Sequence, residues 1–317
     1  KGITKVKALN LAGTEIRAML IDGENTVVTD PDRDHCTHAL KSLDHLVVID
    51  LFLTETAELA DVVLPATAWA ETDGTCTNTD RRIQRLRAAV PAAGDARPDW
   101  WIVSQIAQRL GAPGFEYETA ADVFNELCEV STTYHGVDWD MVGEDNYQWP
   151  IPHRGHPGTP RLHEDGFING RGIFKLINYR DPSEVIDDDY PVWLTTGRRL
   201  ETYHSRTQTG RSQGIDYLAS NELLEVNPDD VEAWGLEDGG LARVASRRGE
   251  IVVQVKATTR SPRGTVFASF SYADVPVNTL TGGGYDPVTD TAELKVCPVR
   301  VEPHPETPER RGDVAAD

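Results

Sequence analysis

Cysteine is scarce: four residues in 317, at Cys36, Cys76, Cys128 and Cys297, with no Cys-x-x-Cys pair among them. That scarcity excludes a disulfide framework and a cysteine zinc site, and it predicts reduced, mostly buried thiols. Long apolar runs are missing too, and none approaches the ~20 residues that a membrane helix needs. The opening stretch, residues 1–20, has no continuous apolar core and no small-residue cleavage site, so no secretory signal is expected and the cytoplasm is the expected compartment. Lysine is rare, 7 against 24 arginines, and acidic residues outnumber basic ones 51 to 31 for a net charge of −20. A surface of that sign repels phosphate backbones and anionic lipid, which excludes nucleic acid and membranes as expected partners. The surplus of Asp (29) over Glu (22), with so little Lys, keeps a protein hydrated in concentrated salt. Either a salt-adapted, halophilic protein or an ordinary acidic enzyme has this composition. Also absent are G-x-G-x-x-G, H-E-x-x-H, a P-loop and a Ser-His-Asp order, so neither an ordinary NAD site nor a local catalytic centre is expected. The chain opens on Lys1 with periodic segments almost at once, and further residues are expected upstream.

What is present reads as two kinds of grammar. From 16 to 63, short apolar runs (IRAMLIDG, HLVVID, DVVLPA) alternate with helical stretches near 31–43 and 56–60. Continuous apolar strands separated by helices predict an α/β fold with a partial doubly wound parallel sheet. Helices are predicted after Arg97, closed by a Gly past Leu110, and near 120–131. Residues 145–189 are rich in Pro and Gly and form an expected linker and loop region. After Pro191 short strands with Gly-containing turns, among them the RRGE turn, predict a mostly antiparallel β-barrel-like domain. One helix interrupts it, with Asn227 as N-cap, Pro228 at its first position and Gly235 after its last turn. The expected domains are therefore 1–144, a connecting 145–189, a barrel over 190–303 and a flexible tail over 304–317.

Ligands of open parallel sheets sit beyond the carboxyl ends of the strands. There the sequence places Gly23, Glu24, Asn25 and Asp50. A carboxylate at such an end accepts two hydrogen bonds from ribose hydroxyls or from a guanine edge; Asp50 either does this or caps the next helix. The Thr- and Asn-rich loop over 69–85 is either an anion-binding loop or a hydrogen-bonded structural one. Segment 195–211 gathers Thr196, Gly197, Arg198, His204, Thr207 and Arg211, donors suited to a pyrophosphate. Four arginines there (198, 199, 206 and 211) point to an anion, the alternative being a solvated basic turn. His153, His156 and His163 have no ligand spacing and read as a surface loop.

Taken together, LTETAELADVVLPATAWAETDGTCTNTDRRIQR, TTGR with its following YH and TGR, and VNTLTGGGYDPVTDTAELKVCPVRVE resemble the C-terminal half of a molybdopterin oxidoreductase of the dimethyl sulfoxide reductase superfamily, most like a formate dehydrogenase alpha subunit. The resemblance covers about 6–303. It implies bis-molybdopterin guanine dinucleotide with Mo or W, and a 4Fe-4S cluster in an N-terminal part outside this chain. It implies formate as substrate, oxidised to CO2 with release of two electrons and a proton, with iron-sulfur or NAD-reducing subunits as electron-transfer partners. Carried over by motif, the cofactor contacts fall on Glu24, Asn25, Asp50, Thr54, Asp99, Thr196, Gly197, Arg198, His204, Asn278 and Lys295. No catalytic residue and no metal ligand is carried over. The family's frequent Pro after Gly-Glu-Asn is Thr26 here, and its frequent His between two aromatics is Ser271. The alternatives are an assimilatory nitrate reductase catalytic subunit, or a noncatalytic cofactor-binding subunit of a split enzyme.

Overall fold

A computed structural model describes residues 2–306. Most of the expected tail, from residue 307 on, lies outside them. Its elements in chain order are α1 (Lys5–Leu11), β1 (Ala18–Asp22), α2 (Thr26–Thr29), α3 (Arg33–Lys41), β2 (His45–Asp50), β3 (Val62–Pro65), β4 (Gly74–Thr77), β5 (Arg82–Leu86), α4 (Asp99–Arg109), α5 (Ala120–Val130), α6 (Trp139–Glu144) and β6 (Tyr147–Gln148). Then follow β7 (Val192–Gly197), α7 (Gln213–Leu218), β8 (Leu223–Val226), α8 (Pro228–Ala233), β9 (Leu241–Ala245), β10 (Glu250–Ala257), β11 (Thr265–Ser269) and β12 (Cys297–Pro303). Strands β1, β2 and β3 form a parallel sheet in that order, and β4, β5 and β6 form a second three-stranded sheet.

Contacts divide the chain into two units. The first comprises residues up to Val48, Phe52–Val63 and everything from Tyr179; the second comprises Ile49–Leu51 and Leu64–Asn178. In the first, Leu9 of α1 and Cys36, Ala39 and Leu40 of α3 pack on Leu46 and Val48 of β2. In the second, Ile102 of α4 packs with Ile49 and Ala66. A separate cluster there joins Ile83, Phe124, Val142 and Ile151, so the stretch expected as linker contributes a strand and a fully buried isoleucine. The capping box of α5 forms as its sequence dictates: Asp122 N–H donates to Thr119 Oγ1 at 3.3 Å, and Thr119 N–H donates to Asp122 Oδ2 at 2.8 Å.

The first unit also contains a closed six-stranded barrel in the order β10-β8-β11-β7-β12-β9. Alternating residues fill it, with Leu194, Leu224, Val244, Val266 and Val299 wholly buried. The barrel is mixed, not mostly antiparallel as the short strands and Gly turns predict: β10 runs parallel to β8 and β11 parallel to β7. Alternation fixes which face a residue occupies but carries no strand direction, and these two pairs join strands that are not consecutive in sequence. The expected hairpin does form, with Ser246 N–H donating to Gly249 O at 2.9 Å between antiparallel β9 and β10. So does the Asn227-capped helix, closed by Gly235 at φ +66°. All four cysteines are free; Cys76 alone of them is exposed, and burial pushes the Cys36 thiol up to about 12. Among the described residues no helix is long and apolar enough to cross a membrane.

Candidate functional site

The site is built at the carboxyl end of β7. Val192, Leu194 and Thr196 point into the barrel, and the strand ends at Gly197, paired with Ser269 of β11. A Cβ on Gly197 would lie 2.6 Å from Phe267 Cε2, so only glycine lets the two strand ends close up. Thr196 Oγ1 donates to Leu294 O, and Lys295 Nζ donates to Thr196 O at 2.7 Å. Arg198 is exposed, 5.6 Å above the Phe270 ring. Burial, and then the positive charge of Arg198, pull the Lys295 ammonium below its ordinary value. Neither cation has a carboxylate within ion-pair distance among the described residues. In a chain of net charge −20, two neighbouring cations without an acid are suited to a bound anion, and adjacent backbone and hydroxyl groups add polar partners.

Anion binding here is expected to weaken with rising pH sooner than an ordinary lysine would allow. Lys295 loses its proton below the usual 10.5 when no anion is bound, whereas an anion would raise its value. Titration of inorganic pyrophosphate from pH 7 upward, with Lys295→Met for comparison, checks this: an unchanged pH slope in the variant would contradict the role.

Of the four arginines expected to serve an anion, two do not. Arg199 donates to Glu222 Oε1 and Glu225 Oε1, each at 3.0 Å; Arg206 pairs with Asp216 and covers Tyr272 at 4.7 Å. Arg211 has no acidic partner among the described residues and stacks over Phe52 at 4.2 Å. His204 is exposed, in the left-handed region at φ 45°, with its ring edge-on to Tyr203 at 4.7 Å. Nearby, a cleft of about 520 Å³ is lined by Thr54, Glu55, Arg206, Thr207, Arg211 and Asp274.

The remaining expected residues of this unit are mostly committed to protein partners. Asn25, buried, donates through Nδ2 to Glu55 Oε2 at 2.7 Å and accepts from Thr56 Oγ1 at 2.9 Å, which ties the Gly-Glu-Asn turn to the turn after β2. Glu24 is exposed and receives Lys5 Nζ at 2.5 Å, shared with Asp30 at 2.6 Å. Thr54 Oγ1 accepts Ala57 N–H at 3.3 Å and so caps the following turn. Asn278 donates to Val28 O at 2.8 Å and is wholly buried. Asp50 and Asp99 belong to the second unit. Asp50 stands at the end of β2, where its Oδ1 accepts Leu51 N–H at 2.7 Å, and Asp99 opens α4.

The stretch expected as a loop over 69–85 is instead mostly a hairpin, because Gly74–Thr77 and Arg82–Leu86 pair as antiparallel β4 and β5, and its arginines bind protein groups. Arg81 donates to Thr159 O at 2.9 Å and Pro160 O at 3.0 Å, and Arg82 N–H to Asn78 Oδ1 at 2.9 Å. His153 and His156 face each other edge-on at 5.3 Å, and no group of three metal-ligating side chains is found among the described residues. Sequence reasoning missed Glu222, which directly precedes the LLEV strand run; the apolar run marks a strand but not the buried charge before it.

Two family models match the chain: one described as Molybdopterin oxidoreductase over residues 1–109, and one described as Molydopterin dinucleotide binding domain over 192–298. The chain is 44% identical over 304 residues to the F420-dependent formate dehydrogenase 2 subunit alpha of Methanococcus maripaludis. It is 43% identical over the same length to the F420-dependent formate dehydrogenase subunit alpha of Methanocaldococcus jannaschii. Each match takes in 95% of this chain but 45% of the relative, so the chain spans under half the length of these proteins. Among solved structures, acetylene hydratase from Pelobacter acetylenicus superposes with a TM-score of 0.74 at 19% identity, covering 94% of this chain and 46% of that one, which is a likeness of fold.

Proposed function

The chain belongs to the molybdopterin oxidoreductase family, and from that premise we propose that it is the C-terminal, cofactor-holding part of a formate dehydrogenase alpha subunit. The cofactor is bis-molybdopterin guanine dinucleotide with molybdenum or tungsten; when bound, it supplies the two-electron chemistry by which formate becomes CO2 with release of a proton. The residues of this chain bind and orient. Arg198 and Lys295 hold the anionic diphosphate of one dinucleotide, Gly197 allows its close approach, and Thr196 fixes the Lys295 ammonium from below. Exposed His204, and Thr207 and Arg211 along the cleft, extend the donor set. Asp50 accepts hydrogen bonds from a guanine edge or ribose of the other dinucleotide. Asn25, Thr54 and Asn278 shape the turns that border the site, with Glu24 at its rim and Asp99 at the start of α4. The three-stranded parallel sheet is the distal piece of a doubly wound domain, and the proposed domains remain 1–144 and 190–303.

The observation that favours this reading is the cation pair at the strand end, without a carboxylate at ion-pair distance among the described residues, in the segment that matches a dinucleotide-binding domain. The iron-sulfur cluster, the metal ligand and the electron-transfer subunits are proposed to lie outside these 317 residues, in a cytoplasmic enzyme. The test is dye reduction by the native enzyme: formate-dependent reduction without nitrate turnover is expected, and the reverse pattern would assign it to the nitrate reductases. Asp50→Ala is expected to weaken dinucleotide retention by about 1.5–3 kcal/mol, the worth of a charge-assisted hydrogen bond. Guanine nucleotide released from purified variant and parent is the readout, and equal content would remove Asp50 from the site. A salt-adapted protein is expected to lose thermal stability on dilution below molar KCl, as its 51 acids lose their screening; equal melting temperatures would leave an ordinary acidic enzyme.

A further inference from the structure

Arg198 stands between two residues that are both fixed to the barrel wall. On one side Gly197 closes against the edge of Phe267 and pairs with Ser269. On the other, Arg199 covers the same ring at 5.5 Å, with its side chain only 13% exposed. The Arg199 guanidinium donates to Glu222, Glu225 and Leu223 O. Glu222, with a side chain wholly removed from solvent, also accepts Ser269 N–H at 2.9 Å and the Ser269 hydroxyl. One buried carboxylate therefore grips the end of β11, and through Arg199 the backbone just beyond the end of β7. Such a network costs solvation and is retained where it specifies one geometry. The network fixes the backbone on either side of Arg198, whose own side chain is exposed over Phe270.

We infer that Glu222 and Arg199 are positioning residues that hold Arg198 at the strand end for the dinucleotide's diphosphate, an inference that rests on the cofactor reading above. Arg198 makes the contact; Arg199 and Glu222 act through it. Because Arg199 is bound on both prongs of its fork, a lysine keeps the charge and loses the geometry.

The test uses the complete enzyme that contains this chain, with Glu222→Gln, Arg199→Lys and Arg198→Ala. Two quantities are read: guanine dinucleotide retained after prolonged dialysis, and amide hydrogen exchange at 197–204 compared with β9 and β12. Glu222→Gln and Arg199→Lys are expected to speed exchange at 197–204 and loss of the dinucleotide, each about tenfold, and to affect β9 and β12 much less. Unchanged exchange at 197–204, or exchange that rises evenly around the barrel, overturns the inference, since a merely structural pair would act on the whole wall. Arg198→Ala separates the two levels: if it sheds the dinucleotide while the other two variants keep it, the anchor is wrong and the cofactor reading stands. If Arg198→Ala itself retains the dinucleotide, Arg198 does not hold the diphosphate and the inference falls with that assignment, whereas parent enzyme without guanine dinucleotide would overturn the cofactor reading. Should Glu222→Gln not fold, Arg199→Lys decides between the same outcomes.

Discussion

Replacing Arg199 by Met is expected to destabilise the barrel by about 3–5 kcal/mol, the usual consequence of stripping a buried charge of its partner. Glu222 would keep its bonds to Ser269 but lose the guanidinium that offsets its burial. The loss should depend on pH. Burial already lifts the Glu222 carboxyl above its ordinary value, with Arg199 opposing the lift, so removal of Arg199 raises it further. A carboxyl whose folded value exceeds its unfolded one favours the folded state most below the unfolded value, and that support is lost as pH rises through the folded value. The variant should therefore fall further behind the parent at pH 8 than at pH 5. Denaturant unfolding at both pH values is the check, and a deficit that is constant or shrinks with pH would contradict it. Adding Glu222→Gln to Arg199→Met should recover part of the loss, because a neutral amide tolerates burial better than an unpaired carboxylate.

Arg198→Ala and Lys295→Ala should do the opposite: little to stability, much to retention. Both side chains are exposed and lack ion-pair partners among the described residues, so each variant is expected to unfold within about 0.5 kcal/mol of the parent. Each removes a charge-assisted bond to an anion worth about 1.5–3 kcal/mol, which at 1.4 kcal/mol per tenfold is about ten- to a hundredfold in dinucleotide affinity. The two losses should not add, because both cations face one anion and repel each other without it; burial first, and then the Arg198 charge, lowers the Lys295 ammonium. Molybdopterin and guanine content of the purified variants, set beside their melting curves, decides the matter. Full content in either variant would take that residue out of the site, and a large drop in melting temperature would mean that it serves the fold.

Much of this was written in the order of residues. Alternation along VWLTTG, the RRGE turn and the cap Asn227-Pro228 each give their element locally, because pleat, turn geometry and orphan N–H groups at a helix start are properties of a few neighbouring residues. The same holds for the β1, β2 and β3 runs, which form the expected strands, although only β2 is largely buried and β1 and β3 leave Leu20, Val62 and Val63 exposed. The cofactor class was legible as well, in motif blocks that the two family models also match.

The parallel pairs β10 with β8 and β11 with β7 were not, since strand direction follows from how far connections run and what they pack on. Nor was the division of labour among the arginines. Arg198 and Arg199 are adjacent and chemically identical, and a basic cluster in an acidic chain points to an anion for both. Only the closed barrel brings Glu222 and Glu225 against Arg199, while Arg198 has no carboxylate within ion-pair distance among the described residues, and a charge takes its role from the charge that faces it.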